Sequence, residues 1–158
     1  MCIRDRTTAA PALFDALAGS ARPAGISAWQ RFDVQTGVAW ITAATRDAFV
    51  PQMLAFDKIG GVSFNKGCYP GQEIIARAQY RGQVRRGMAV CRSAQPVAVG
   101  SKVEADGEEV GIVINSAAHD EAFVLLAVIK HGAAGKALQA GGQALQTLKL
   151  LFETEADE

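Results

Sequence analysis

Short apolar segments separated by glycine-containing turns make up the carboxy-terminal half of the chain, and this pattern restricts the fold more than any other feature. The segments have strand length and cover residues 87–91, 97–103, 110–115, 122–129 and 144–150. Asp106-Gly107 is a strong signal for a two-residue hairpin turn, and Gly141-Gly142 is a second turn of this kind. Five or six strands joined in this way after residue 85 predict a small antiparallel β-barrel.

The amino-terminal part is expected to mix helix and strand, which makes the chain α+β. Residues 11–17 place apolar side chains on one side of a short helix that ends near Gly19. Residues 26–42 predict a hairpin, because apolar and polar residues alternate up to a turn at Gly37 and an apolar run comes after it. Residues 49–54 predict a loop that leads into a helical turn.

A further helix is predicted over residues 70–80, directly after a turn and short strand at residues 60–64. Pro70 suits the first turn of a helix, and the carboxylate of Glu73 complements the positive end of the helix dipole. Gly82 is expected to end the helix. The order around residue 68 is therefore strand, glycine-bearing loop, helix.

The loop before this helix carries the residue on which chemistry could depend. Residues 66–73 read Lys-Gly-Cys-Tyr-Pro-Gly-Gln-Glu and place Cys68 between two glycines. A helix start presents unpaired N–H groups and a positive dipole end, both of which favour thiolate over thiol, and Lys66 would add positive charge. Cys68 could then be a nucleophile, a redox thiol or a transient metal ligand. The alternatives are a buried structural cysteine and a simple surface lysine.

The other residues of this octet each have a functional and a plain structural interpretation. Gly67 and Gly71 would allow backbone angles or a close approach that a Cβ forbids, or they are ordinary turn glycines. Tyr69 either walls a ligand cavity or packs in the core. Gln72 and Glu73 fall in the first helical turn, where a side chain could reach back and hold the cysteine loop in shape.

Formal net charge is zero, but the charges are segregated along the chain. Between positions 58 and 92 the single acid Glu73 stands against seven basic residues: Lys58, Lys66, Arg77, Arg81, Arg85, Arg86 and Arg92. Residues 103–129 hold six acids and no lysine or arginine. A basic surface beside the thiol would attract an anion, with Arg77 and Arg81 as candidate contacts. The alternative is a solvated face, on which Arg77 simply pairs with Glu73 one turn away.

Composition and spacing exclude several classes of protein. No apolar run approaches the roughly 20 residues that a membrane helix needs, so no membrane role is expected. Three scattered cysteines cannot form a disulfide framework and favour a reducing cytoplasm, with Cys91 expected in the barrel core. Neither histidine has a second ligand at metal spacing, so no metal site is expected. Direct nucleic-acid binding is not expected, because the basic segment has few aromatics and no RNA motif.

The octet, written Lys-Gly-Cys-Tyr-x-Gly-Gln-Glu, resembles the hallmark of the YgfZ family of folate-binding proteins, which is related to the T-protein (aminomethyltransferase) of the glycine cleavage system. The resemblance extends from Gly37 through residues 49–53 and 60–64 to Arg77, Tyr80, Arg81 and Gly82. It implies the carboxy-terminal part of a T-protein-like folate-binding fold followed by a small antiparallel barrel. Family members are longer and carry an amino-terminal portion with no counterpart here, so the chain resembles a carboxy-terminal fragment.

The resemblance also implies a division of the chain into three regions. Residues 1–84 would form a partial folate-binding α+β domain that carries the octet, residues 85–153 the barrel, and residues 154–158 an acidic tail. Residues 1–6 have neither the apolar core of a secretory signal nor continuity with the Ala-rich helical pattern after them, so they need not be native sequence.

The function implied by the resemblance is that of a folate-dependent accessory factor for assembly or repair of iron-sulfur proteins, with an indirect effect on tRNA modification. Its ligand would be tetrahydrofolate or a derivative, and its partners iron-sulfur client or assembly proteins. Cys68 would be the functional thiol, supported by the other octet residues Lys66, Gly67, Tyr69, Gly71, Gln72 and Glu73, with Tyr69, Arg77 and Arg81 on the folate side. Such a factor is more a non-enzymatic or transferase-like accessory than an enzyme with turnover. The alternative is a tetrahydrofolate-dependent aminomethyltransferase of the glycine cleavage type, against which the cysteine octet stands.

Overall fold

A computed structural model describes residues 10–64, 66–80 and 84–152, without the side chain of Gln79. The helices are α1 (Ala10–Leu17), α2 (Ile26–Thr36) and α3 (Gln72–Tyr80), with 3-10 turns at Ala43–Thr45, Pro51–Leu54 and His131–Ala133. The strands are β1 (Arg86–Ser93), β2 (Lys102–Ala105), β3 (Glu108–His119), β4 (Ala122–Lys130), β5 (Leu138–Ala140) and β6 (Gln143–Leu150). The predicted helix at residues 11–17 and the helical turn in 49–54 are confirmed. The helix predicted over residues 70–80 is present but begins at Gln72, so Pro70 lies in the turn before it and not in its first turn.

The six strands close into an antiparallel barrel in the order β1-β4-β3-β2-β5-β6, which confirms the predicted α+β class with a small barrel. Both predicted hairpin turns are present. Asp106 and Gly107 join β2 to β3 with φ angles of 54° and 80°, and Gly141 and Gly142 join β5 to β6 with 55° and 74°. Two consecutive residues at positive φ match the right-handed twist of paired strands, which is why Asp-Gly and Gly-Gly occur here.

Two details of the barrel differ from the sequence prediction. Residues 98–101 form a turn, with Gly100 at a φ of 86°, so β2 begins only at Lys102 and not at residue 97. Strand β5 is only three residues long, which is too short to leave a periodic pattern.

Side chains alternate between two apolar clusters, one inside the barrel and one on its outer surface. On β4, Leu125, Ala127 and Ile129 point into the barrel, whereas Val124, Leu126 and Val128 belong to the outer cluster. The outer cluster is completed by residues before the barrel, including Val34 of α2 and Leu54 of the 3-10 turn. Since β4 is covered on both faces, it is apolar almost throughout.

The hairpin predicted for residues 26–42 is wrong, because the first part of this segment is helix α2. Gly37 is the residue that misled the prediction: it adopts the left-handed conformation (φ 83°) as a helix C-cap, where its N–H bonds to the carbonyl oxygens of Asp33 and Val34. The apparent alternation of Phe32 and Val34 is also not that of a strand, since Val34 is buried and Phe32 is 56% exposed.

The segment after α2 is fixed to the barrel by a hydrogen-bonded pair. The backbone N–H of Trp40 donates to Asn115 Oδ1 at 2.8 Å, and Asn115 Nδ2 donates to the Trp40 carbonyl oxygen at 2.9 Å. The indole Nε1 of Trp40 donates to the carboxylate of Asp33 at 2.7 Å, which gives this buried acid its partner. Asn115 lies at a bulge in β3. Its two hydrogen bonds to Trp40 therefore join the barrel directly to the amino-terminal segment.

The short strand predicted at residues 60–64 is also absent. The backbone N–H groups of Gly61 and Val62 both donate to the carbonyl oxygen of Phe56, at 2.7 and 3.2 Å, so the chain turns back on itself instead of extending. Gly82, expected to end α3, lies outside the described residues. Within the described ranges, no helix is long and apolar enough to cross a membrane.

Candidate functional site at the cysteine loop

Cys68 is exposed and lies in the loop that leads into α3, so it is not a buried structural cysteine. The two flanking glycines differ. Gly71 has a φ of 83° with open space around it, so its backbone angle, and not a close approach, favours glycine. Gly67 is likewise in open space but has no positive φ, so it is an ordinary loop glycine.

Gln72 ties the start of α3 to the loop. The backbone N–H of Tyr69 donates to Gln72 Oε1 at 3.2 Å, and the Gln72 backbone N–H donates to the Tyr69 carbonyl oxygen at 3.3 Å. This reciprocal arrangement resembles a capping box and satisfies two N–H groups at the helix start. The sequence prediction that a first-turn side chain reaches back is confirmed for Gln72. Glu73 is exposed and makes no ion pair with another described residue.

Lys66 and Tyr69 form a pair that flanks Cys68. The Lys66 ammonium group lies 4.6 Å from the centroid of the Tyr69 ring, a cation–π contact. Tyr69 is half-buried and Lys66 is exposed, so Tyr69 is not a core aromatic residue. The contact keeps one positive charge within the cysteine loop.

The basic run of the sequence is divided in the folded chain. Arg77 is exposed on α3, and among the residues that the structure covers it makes no salt bridge with Glu73. Arg86 lies on β1 opposite Lys130. The pKa of Glu109 is lowered mainly by its hydrogen bond and ion pair with Lys102, with smaller effects of Arg86 and Lys130. Arg81, the other candidate anion contact, falls outside the described residues.

Gln52 is a site residue that could not be recognised in the sequence. Its Nε2 donates to the carbonyl oxygen of Ile75 in α3 at 2.7 Å, across 23 positions of sequence. Its Oε1 is buried and has no hydrogen-bond donor among the residues described. Only its place in the family-like stretch 49–53 marks it in the sequence, and that stretch gives no sign of a contact with α3.

The described part of the chain contains no cluster of three or more His, Cys, Asp or Glu side chains that could hold a metal ion. Cys91, the other cysteine within the described ranges, is fully buried on β1. Burial raises the pKa of Cys91 from its ordinary 9.0 to about 11, although a contact with Thr147 opposes this shift. Cys68 is thus the exposed thiol and Cys91 the inert one, as the sequence predicts for Cys91.

Exposed apolar side chains are concentrated before the barrel. Of the twelve large apolar residues that are exposed in the described ranges, only Leu148 lies in a strand; the other eleven fall between residues 13 and 80. They include three on one helix, α2: Ile26, Trp29 and Phe32, with the Trp29 and Phe32 ring centroids 6.2 Å apart.

These features define an α+β protein with a closed six-stranded barrel, a helical segment packed on its outer face and an exposed cysteine at the start of a helix. No family model matches the chain. It is 40% identical over 88 residues to the tRNA-modifying protein YgfZ of Edwardsiella ictaluri (strain 93-146), a match that covers 56% of this chain and 27% of that protein. It is 36% identical over 110 residues to the tRNA-modifying protein YgfZ of Cronobacter sakazakii (strain ATCC BAA-894), covering 70% and 32%. Over the matched segment, the chain is therefore similar to proteins of the YgfZ family. The match spans about a third of the length of these curated relatives.

Proposed function

We propose that this chain is part of a cytoplasmic, folate-dependent accessory factor that assembles or repairs iron-sulfur proteins and thereby affects tRNA modification. Two observations support the proposal. The relatives at 36% and 40% identity are both named tRNA-modifying proteins. The observation that carries the proposal is the contrast between two thiols, since Cys68 is exposed in a loop of fixed shape whereas Cys91 is buried.

The thiol would act on groups supplied by a partner. Because the described residues hold no cluster of metal ligands around Cys68, a metal ion that this thiol contacts would take its other ligands from the client or assembly protein. An exposed thiol on a loop suits such a transient contact, because the partner can approach it without unfolding the chain. Gln72 and the Lys66–Tyr69 pair would keep the loop in one shape for that encounter.

Tetrahydrofolate or a derivative is the proposed ligand, and the described residues fit its anionic end. Arg77 is exposed and makes no salt bridge within the described ranges, and Lys66 holds a positive charge against Tyr69. Both suit the carboxylates of a glutamate tail. When bound, the folate would supply a pterin that can carry a one-carbon unit. Arg81, outside the described residues, stays a predicted contact of the folate.

The test is complementation with the longer protein that contains this chain. Cys68→Ala and Cys68→Ser are expected to abolish rescue of a cluster-dependent enzyme in cells that lack the native factor. Gly132→Ala is a control outside the cysteine loop, because a Cβ at this position meets no atom within 4 Å and the backbone φ is not positive. All three variants must be folded and bind folate as the parent does. Full rescue by the cysteine variants would show that Cys68 is dispensable and would overturn the proposal.

A further inference from the structure

The helix after the cysteine loop is only partly buried against the rest of the chain. None of the described side chains of α3 is buried, and Ile74 and Tyr80 are 64% and 73% exposed. Tyr80 makes an edge contact with Phe64, with ring centroids 6.3 Å apart. Ile75, Ala76 and Ala78 are half-buried, so hydrophobic burial fixes α3 only in part, and the position of Cys68 depends on other contacts as well.

A single side-chain hydrogen bond links the described part of α3 to the body of the molecule. It is the bond from Gln52 Nε2 to the Ile75 carbonyl oxygen, at 2.7 Å. Gln52 lies in the 3-10 turn Pro51–Leu54, and Leu54 of the same turn is 3% exposed within the outer apolar cluster of the barrel. The connection thus runs from barrel to turn, from turn to α3 through Gln52, and from α3 to the cysteine loop through Gln72.

The unpartnered oxygen of Gln52 indicates that the donor is the important half of its amide. The Oε1 atom of Gln52 is buried without a donor among the described residues, and this costs free energy. If position 52 only had to be filled, methionine would have a similar volume without this cost. The Nε2 group offsets this cost only through its bond to Ile75. Glutamine therefore supplies a hydrogen-bond donor at position 52, and methionine would not.

We propose that Gln52 is a positioning residue for Cys68: its amide anchors α3 to the barrel-bound turn and so fixes the place at which the thiol is presented. This inference rests on the proposed function for the importance of Cys68, but not for the anchoring itself. Loss of the Gln52 donor would leave the fold intact and let α3 and the cysteine loop move together.

A nitroxide label on Cys68 of the full chain measures that movement. Cys2→Ser is the common background, and Cys91 is buried, so the label reports on Cys68. The test variants are Gln52→Met, which removes both polar groups, and Gln52→Glu, which replaces the donor by an acceptor facing the Ile75 carbonyl. Gln139→Met is the matched control, because Gln139 Nε2 also donates one side-chain hydrogen bond, to Glu104 at 3.0 Å, but on the barrel.

We expect the mobile fraction of the label to rise in both Gln52 variants, and more in Gln52→Glu. Hydrogen exchange of the α3 amides should quicken by about fivefold, the factor that one net hydrogen bond represents. In Gln52→Met the melting temperature and the barrel amides should stay as in the parent, and Gln139→Met should change neither label nor α3. An unchanged label, or a lowered melting temperature with an unchanged label, would make Gln52 an ordinary structural residue and overturn the proposal.

The same variants separate this inference from the proposed function. If Cys68→Ala fully rescues the cluster-dependent enzyme while Gln52→Met frees the label, the function fails and the anchoring stands. If Cys68→Ala abolishes rescue and the mobile fraction of the label is unchanged in the Gln52 variants, the function stands and the anchoring fails.

Discussion

At the scale of single residues, the two described cysteines show how strongly location governs a thiol. Cys91 is surrounded by barrel side chains, and burial raises its pKa to about 11, so it is a neutral thiol at physiological pH. Cys68 lies in solvent between two glycines. The sequence predicted this difference, because Cys91 falls in an alternating strand and Cys68 in a loop. It did not predict the roles of Gln52 and Asn115, whose partners lie 23 and 75 positions away in the chain.

Alkylation should distinguish the two thiols. In a Cys2→Ser background at about pH 7.5, iodoacetamide is expected to modify Cys68 fully before Cys91 reacts measurably, because the reagent must reach a thiolate and Cys91 offers neither access nor charge. Peptide mapping by mass spectrometry monitors both sites, and denaturant should bring Cys91 to the rate of Cys68. Equal and slow modification of both cysteines in the native chain would contradict this expectation.

At the scale of elements, the turns that depend on adjacent residues could be predicted from the sequence, whereas helix α2 could not. The Asp-Gly and Gly-Gly turns were predictable, because the positive φ angles that they require are a property of two adjacent residues. Helix α2 was not, because its exposed face carries Ile26, Trp29 and Phe32 while its buried residues include the acid Asp33. The apolar pattern of this helix therefore does not point to the core, and Gly37 fits a hairpin turn as well as a helix end.

Gly37→Ala tests the helix end. The substitution should lower the free energy of unfolding by about 1–2 kcal/mol or more, since an alanine at positive φ is strained and its Cβ would overlap the side chain of Leu151. Gly132→Ala is the control, because there φ is not positive and no atom lies within 4 Å of the added Cβ. Denaturant unfolding compares the two. A neutral Gly37→Ala would argue that residue 37 is not a left-handed cap.

At the scale of the whole molecule, apolar side chains are mostly covered in one part of the described chain and exposed in another. Except for Leu148, the large apolar residues of the barrel lie inside it or are covered at least in part, whereas the segment before residue 81 exposes eleven large apolar side chains. An apolar surface of this kind favours association with other apolar surfaces. No periodicity in the sequence shows it, because apolar residues are normally assigned to the core.

Phe32→Ser should therefore reduce binding of an apolar dye and concentration-dependent association without lowering the melting temperature. Phe32 is 56% exposed, so little burial is lost on substitution. Leu148→Ser on the barrel, at 50% exposure, provides the comparison and should have the smaller effect on association. Sedimentation and dye fluorescence over a concentration series measure both. A clear drop in the melting temperature of Phe32→Ser would mean that this side chain belongs to the core.

The hydrogen-bonded pair of Trp40 and Asn115 also allows the fluorescence of Trp40 to report on the contact between the amino-terminal segment and the barrel. The sequence has only two tryptophans, so Trp29→Phe leaves Trp40 as the sole indole emitter. Trp40 is 58% exposed, yet its Nε1 donates a hydrogen bond to Asp33 and its backbone N–H donates one to Asn115 of β3. Detachment of the amino-terminal segment from the barrel would free the Trp40 ring and shift its emission wavelength. The barrel has no tryptophan and would not contribute to this signal. Fluorescence during unfolding would then time the release of that segment separately from the melting of the barrel, which circular dichroism records.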